Sequence, residues 1–440
     1  MRLSPVPRVI RAVHVLVGVT LVTTAACATT PPPAPPPAPA PAPPVRVPTE
    51  DERAAAAARA DSARARLDSA RLAAAARAPR VRARPSARND TLPVRALRAP
   101  VRVCAGGDVT LGTNLDTAWA RRAAKRMRTE YFRDDAPATL LAPLRPLVSS
   151  GDIVLLNVES AIGAGRAPSK CGRRSTNCYA FRSPPSSAAA LRAVAPTRTV
   201  VGNVANNHAR DAGALGHDST VAALTRAGVY VTGADTLATP VPTPAGDTIG
   251  VLGFHTSDET PDARDTAAVY RHVARAAERY PVVIATMHLG AEGRDAQRTT
   301  DATEMFLGTI DRGNPVAFAD AAVRGGASLV VGHGPHVMRA MEWRDRGALI
   351  AYSLGNLLTY GPFTLKEPLN RGAVLCATID ASGRVASANV ESTVQSAPGV
   401  LGPDQSARAA VIADSLARLD FPATGARLGP GGELRPRGEP

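Results

Sequence analysis

The stretch "NVANNHARDAG", residues 203–213, follows the apolar run "TVVG" and precedes a segment with helical periodicity. Two adjacent asparagines and a histidine are poor core residues, because each buried amide or imidazole must find a hydrogen-bond partner or cost stability. Their place at the end of an apolar run, in the turn toward a helix, is the pattern of a strand whose carboxyl end opens on a crevice. A turn holding a satisfied histidine is the simpler alternative for this stretch taken alone.

The same pattern recurs along the chain. "VCAGGD" ends in Asp108, "IVLLNVE" in Asn157 and Glu159, "VVIATMH" in His288, and "LVVGHGPH" in His333 and His336. Ten strand-like runs, among them "VRVCAG", "DIVLLN", "RTVVGN", "IGVLGF" and "ALIAYSLGN", alternate with helical patterns over 116–128, 184–194, 214–227, 264–279 and 315–325. That alternation predicts a layered α/β domain over residues 100–395. A further helix is expected over 404–419, followed by a Gly/Pro-rich tail without structure to residue 440.

The N-terminal hundred residues read differently. Arginines at 2, 8 and 11 precede the apolar run 12–22, the layout of an export signal over residues 1–27. Eleven apolar residues fall short of the ~20 that span a bilayer. Cys27 follows two alanines and is a candidate for lipid acylation, which would anchor the mature chain in a membrane. Alternatively, Ala26-Cys27-Ala28 is an ordinary cleavage site and the product is secreted in soluble form. Residues 28–99 form a Pro/Ala/Arg-rich linker. Its segment 31–48 holds 11 of the 39 prolines, which marks an extended spacer.

Residues 1–100 carry 16 Arg against 6 Asp plus Glu, so most of the net charge of +14 lies outside the expected domain. With only 16 aromatic residues and no basic patch interleaved with them, nucleic acid is not an expected partner. Five cysteines suit an exported protein. Cys171 and Cys178, in the polar run "KCGRRSTNCY", are expected to pair as a disulfide, whereas Cys104 and Cys376, in strand-like runs, read as small buried thiols.

The strand-end residues are chemically coherent. Carboxylates, an amide and imidazoles, with no thiolate, suit one or two divalent ions such as Mn, Fe or Zn, and Glu159 or Asp108 could bridge a pair. Four of the eight histidines lie at these strand ends. A serine nucleophile at Ser353 would lack the G-x-S-x-G elbow.

In order and spacing, "GDVTLG" (107–112), "NVES" (157–160), "ANNHARDAG" (205–213), "HLGAE" (288–292), "GHGPHV" (332–337) and "YSLGN" (352–356) resemble the CapA family of capsule synthesis proteins associated with poly-γ-glutamate. The resemblance spans residues 101–391. It implies an αββα sandwich similar to calcineurin-like metallophosphoesterases, with Asp108, Glu159, Asn207, His288, His333 and His336 as metal ligands. Asn207 and His208 match the pair that supplies an amide ligand and a general acid, while Asn157, Asn206, Glu292 and Asn356 match polar positions of the site. Departures from the pattern bear on the chemistry and the packing. Thr110 stands where true phosphoesterases place a histidine, and Leu289 and Val158 replace other apolar residues.

The resemblance implies a metal-dependent hydrolase acting on an anionic envelope polymer or a related amide or phosphoester. The alternative it leaves open is a non-catalytic subunit that anchors or exports poly-γ-glutamate, alongside other capsule synthesis subunits.

Overall fold

The computed structural model describes residues 96–114, 136–163, 179–257, 262–344, 347–361 and 363–438. The export signal with Cys27, linker residues 28–95, the 116–128 helix and the Cys171–Cys178 pair lie outside these residues; the expected linker end at residue 99 is corrected, since Leu97 is buried in the hydrophobic core and its amide donates to the Ala381 carbonyl at 3.2 Å.

Two sheets carry the domain. In the first, Val101–Thr110, Ile153–Val158, Thr199–Asn203 and Tyr230–Thr232 run parallel in that order, and Arg371–Ile379 and Val385–Ser396 continue antiparallel on the other side. In the second, Thr248–His255, Val283–His288, Leu329–His333 and Ala348–Ala351 run parallel, with antiparallel edges at Thr239–Pro242 and Met341–Arg344. The prolines of "TPVP" are at home on such an edge, where no amide need be donated to a neighbour.

Side-chain alternation explains why the strands read as unbroken apolar runs. Along Ile153–Val158, Ile153 and Leu155 enter the core between the sheets, whereas Val154, Leu156 and Val158 enter a second core beneath the helices. Both faces are covered, as parallel sheets require. The outer core of the first sheet is closed by Leu140, Leu144, Leu191 and Leu224 from Pro137–Leu141, Leu144–Val148, Ser186–Arg192 and Gly213–Arg226. Helices Thr266–Ala277 and Pro315–Arg324 cover the second sheet, with Phe318 edge-on to Phe254 at 5.3 Å. The order helix, sheet, sheet, helix is the expected αββα sandwich. Each fully buried Leu, Val or Phe contributes about 1.5–3 kcal/mol by leaving water.

Local chemistry sets the helix starts. The side chain of Asp265 accepts from the Ala268 amide at 2.9 Å, and Asn314 accepts from Ala317 at 3.0 Å with Pro315 in the first turn. Such caps satisfy amides that have no partner inside the helix.

Three expectations need correction. Cys104 and Cys376 are not free thiols: they sit opposite one another on antiparallel strands, Cα atoms 4.0 Å apart, and form a disulfide. "ALIAYSLGN" is not one strand. Ala348–Ala351 belongs to the second sheet, the chain turns through Gly355 (φ +65°), and Asn356–Thr359 pairs with Val101–Thr110 in the first. The segment after the last helix, Arg408–Asp420, is not an unstructured tail either. Arg427–Leu428 and Glu433–Arg435 pair with each other, and the latter pairs with Val385–Ser396, with Leu434 buried. Glycine and proline there shape a turn rather than prevent order. Among the described residues, no helix is long and apolar enough to cross a membrane.

Candidate metal centre

Parallel pairing places the polar strand ends at one level. In the first sheet Asp108 is in register with Asn157 and Asn356, and Asn157 with Asn203. In the second, His255, His288 and His333 are in register across three strands. Asn157 shares the facing of Ile153 and Leu155, so it points between the sheets, where the two rows meet.

Asp108, Glu159 and His288 form the tight centre, each offering one ligand atom within 4.8 Å of the others. All three are buried. Asn157 organises them: its amide donates to Asp108 Oδ1 at 2.8 Å and lies 3.3 Å from His288 Nδ1, leaving His288 Nε2 facing Glu159 Oε1 at 3.6 Å. The Asn157 carbonyl oxygen accepts from Asn203 and Asn206, at 3.0 and 3.1 Å. Asn206 also accepts from the His208 amide at 3.1 Å, so it braces the loop.

His336 closes the centre from the solvent side. Its backbone has φ +59°, a strained conformation for a non-glycine residue and one that clusters at functional sites. Nδ1 lies 3.1 Å from Asp108 Oδ2 and 3.1 Å from Asn356 Oδ1, and Nε2 lies 3.7 Å from Glu159. His333 stands beside the centre, its Nε2 donating to the Gly106 carbonyl at 3.1 Å. The Gly334 amide reaches Asp108 Oδ2 at 3.4 Å.

The polar atoms left over are the test of whether an ion fits. Both carboxylate oxygens of Glu159, His288 Nε2, His333 Nδ1 and Asn207 Oδ1 are buried without a hydrogen-bond partner. Buried acceptors and imidazole nitrogens left this way are costly unless something else engages them.

The electrostatics agree. Burial, then the neighbouring Asp108 carboxylate, pushes the Glu159 carboxyl well above the usual range. Asp108 is also penalised by burial, but its hydrogen bond and attraction to His336, with help from His333 and Asn157, hold it below its ordinary value. Burial lowers His288 and His333, so both imidazoles are neutral, the form that binds a metal. Burial opposes charge on His336 too, yet Glu159, Asp108 and Glu292 push it up to about 10. A divalent cation would let both carboxylates ionise together, and the donor set of oxygen and nitrogen suits Mn, Fe or Zn.

Where a histidine was expected after Asp108, the Thr110 hydroxyl donates to the Glu159 carbonyl at 3.4 Å. Leu289 and Val158 are buried packing residues. Ser353 accepts the Gly355 amide at 3.2 Å in a turn and does not line the pocket over the centre.

His208 faces that pocket, of about 300 Å³, which is also lined by Glu159, Glu292, His336 and Asn356. Its Nδ1 lies 2.5 Å from Asp211 Oδ2. Asp211, three residues further along the same loop, fixes the imidazole. Asn207 donates to Glu292 at 3.5 Å, and Arg312 pairs with Glu292 at 3.0 Å.

The loop bearing Glu292 is clamped by fully buried Arg339, whose guanidinium makes a bidentate pair with Glu304 at 2.8 and 2.7 Å. Arg312, Glu304, Arg339 and His255 carry no motif of their own. Only His255 had a readable signal, an imidazole ending the apolar run "IGVLGFH". A larger hollow of about 800 Å³, lined by Trp343, Arg384 and Arg437, holds none of these residues.

The family described as "Bacterial capsule synthesis protein PGA_cap" matches residues 102–360, and the chain belongs to it. Among curated proteins, a probable polyglutamine synthesis accessory protein of Mycobacterium tuberculosis, found in two strains, is 28% identical over 304 residues. The match covers 59% of this chain and 74% of the relative. Among solved structures, a 5'-nucleotidase precursor from Thermus thermophilus aligns with a TM-score of 0.34 and 13% identity, over 74% of this chain and 59% of that one. GAP50, the anchor in the inner membrane complex of Plasmodium, aligns with a TM-score of 0.27 and 7% identity, over 72% and 96%.

Proposed function

We propose that this chain is an exported metal-dependent hydrolase of capsule polymer assembly, cleaving an amide or phosphoester in the cell envelope. The observation that carries this reading is the set of unpartnered buried ligand atoms on Glu159, His288, His333 and Asn207, around the Asp108 carboxylate. Asp108, Glu159 and His288 would hold a first ion, with His336, His333 and Asn207 beside them. Such an ion polarises the bond under attack and lowers the pKa of a bound water. His208, held by Asp211 and facing the pocket, donates a proton to the departing group, and Glu292 orients the Asn207 amide.

The disulfide supports export, since such bonds persist in oxidising compartments. Acylation of Cys27 would tether the domain to a membrane through the proline spacer, near poly-γ-glutamate and its synthesis and export subunits. Mass spectrometry of the mature N-terminus tests the anchor: an unmodified terminus other than Cys27 removes it.

The central experiment is elemental analysis of the purified protein beside hydrolysis of poly-γ-glutamate and of a generic phosphodiester. Glu159→Ala should lose metal. His208→Ala should keep metal and lose about 10²–10⁴-fold in turnover. Protein that binds no Mn, Fe or Zn and hydrolyses nothing overturns the enzyme. That outcome favours the second reading, a non-catalytic polymer-anchoring subunit, which draws on Thr110 replacing an imidazole and on the word "accessory" in the relatives' names.

A further inference from the structure

The chain has only 16 aromatic residues, yet four of them, Tyr179, Phe181, Phe306 and Phe363, line the pocket over Glu159 and His336. Phe181 is buried, while Tyr179, Phe306 and Phe363 are only half-buried. They form a graded wall. Tyr179 stacks on Phe363 at 5.7 Å and 19°, Phe363 meets Phe181 edge-on at 5.5 Å and 68°, and Phe181 stacks on His208 at 4.2 Å. Leu369 adds to the apolar lining.

The ionisable groups of the pocket are the carboxyls of Glu159 and Glu292 and the imidazoles of His208 and His336; no lysine or arginine is among its described lining residues. A planar apolar ring finds both faces and edges in the geometries that aromatic pairs prefer.

We propose that this wall is a subsite for an aryl or heteroaryl ring carried by the substrate, on the side of the bond that His208 serves. The inference rests on the hydrolase reading above and names its substrate class. Phe181 ties the ring site to the acid: its ring stacks on His208, and its backbone amide donates to Asp211 at 2.7 Å, the carboxylate that holds His208. Hydrolysis breaks the bond from phosphorus or carbonyl carbon to the oxygen or nitrogen of the ring-bearing group. That group departs with the His208 proton, and water supplies the hydroxyl to the other fragment and returns a proton to His208.

The test is titration calorimetry of the full chain, supplied with Mn²⁺, against phenylphosphonate and methylphosphonate, which share a head group and differ in the ring. The expected result is binding of phenylphosphonate about tenfold tighter or more. Phe363→Ala, and separately Tyr179→Ala, should shrink that preference to about threefold or less while methylphosphonate affinity holds. Equal affinities in the unaltered protein, or a preference that survives both substitutions, overturn the ring subsite and leave the hydrolase reading standing. Binding of neither phosphonate also overturns the ring subsite, whereas the hydrolase reading falls only by the metal and turnover assays above.

Discussion

Replacing Cys104 and Cys376 together by alanine isolates the contribution of a cross-link that joins strands 272 residues apart in sequence. In the chain-entropy account, opening a loop of that length frees about 5–6 kcal/mol of unfolded-state entropy at 25 °C. Measured effects fall below the model, typically 2–4 and up to about 5 kcal/mol, because unfolded chains keep some structure. The two strands would remain neighbours without the bond, since six successive residue pairs from Val101↔Ile379 to Gly106↔Val374 stay in register. The expected loss is therefore about 3–5 kcal/mol of unfolding free energy. Urea titration followed by tryptophan fluorescence measures it, with the unaltered protein in reductant as a second arm that should fall by a similar amount. A double variant within about 1 kcal/mol of the parent would refute the reasoning. So would alkylation of both cysteines in unfolded, unreduced protein.

Three further outcomes follow from particular contacts. Glu304→Ala leaves the buried Arg339 guanidinium without its bidentate partner and should cost about 3–5 kcal/mol in the same titration; a loss under about 1 kcal/mol would mean the loop rearranges to pair it. Asp211→Asn should lower turnover with little change in bound metal, because it loosens the contact that positions His208 without touching Asp108, Glu159 or His288; an unchanged rate removes His208 as proton donor. His255 is held at a pKa of about 4 by burial and by Arg312, Arg210 and His217, against Asp262. Its folded value lies below the ordinary ~6.5, so the unfolded chain takes up the proton first. Stability is then lost as pH falls from about 6.5 toward 4, by up to about 3 kcal/mol. His255→Gln should flatten that slope relative to the parent, and identical slopes would show that His255 does not titrate this way.

The layered fold was legible because two-sided burial leaves the parallel strands largely apolar and concentrates their ionisable and amide residues at the carboxyl ends. Asp108, Asn157, Glu159, His288 and His333 stand out as the places where an apolar run turns polar, and the structure brings them within one centre. Partners across the fold were not legible. Cys104 and Cys376 meet only because Val101–Thr110 pairs with Arg371–Ile379, and strand adjacency of that kind leaves no trace in either segment. "ALIAYSLGN" opens with strong β-formers and is followed by the apolar "LLT", so it reads as one run; the turn through Gly355, with its positive φ, is where the chain leaves one sheet for the other. Asp211 and Arg339 act through neighbours remote in pattern or in sequence. The aromatic wall is assembled from three separate segments, with nothing periodic to announce it.

The level rows of Asp108, Asn157 and Asn203 in one sheet and His255, His288 and His333 in the other make the centre a property of strand alignment. One residue inserted within Val283–His288 would turn His288 to the opposite face and dismantle the site. The same residue inserted in the connection after Thr266–Ala277 would leave the rows untouched. A reporter or affinity handle spliced at exposed Glu278–Arg279 is therefore expected to leave the chemistry intact, because the count of residues within each strand is unchanged.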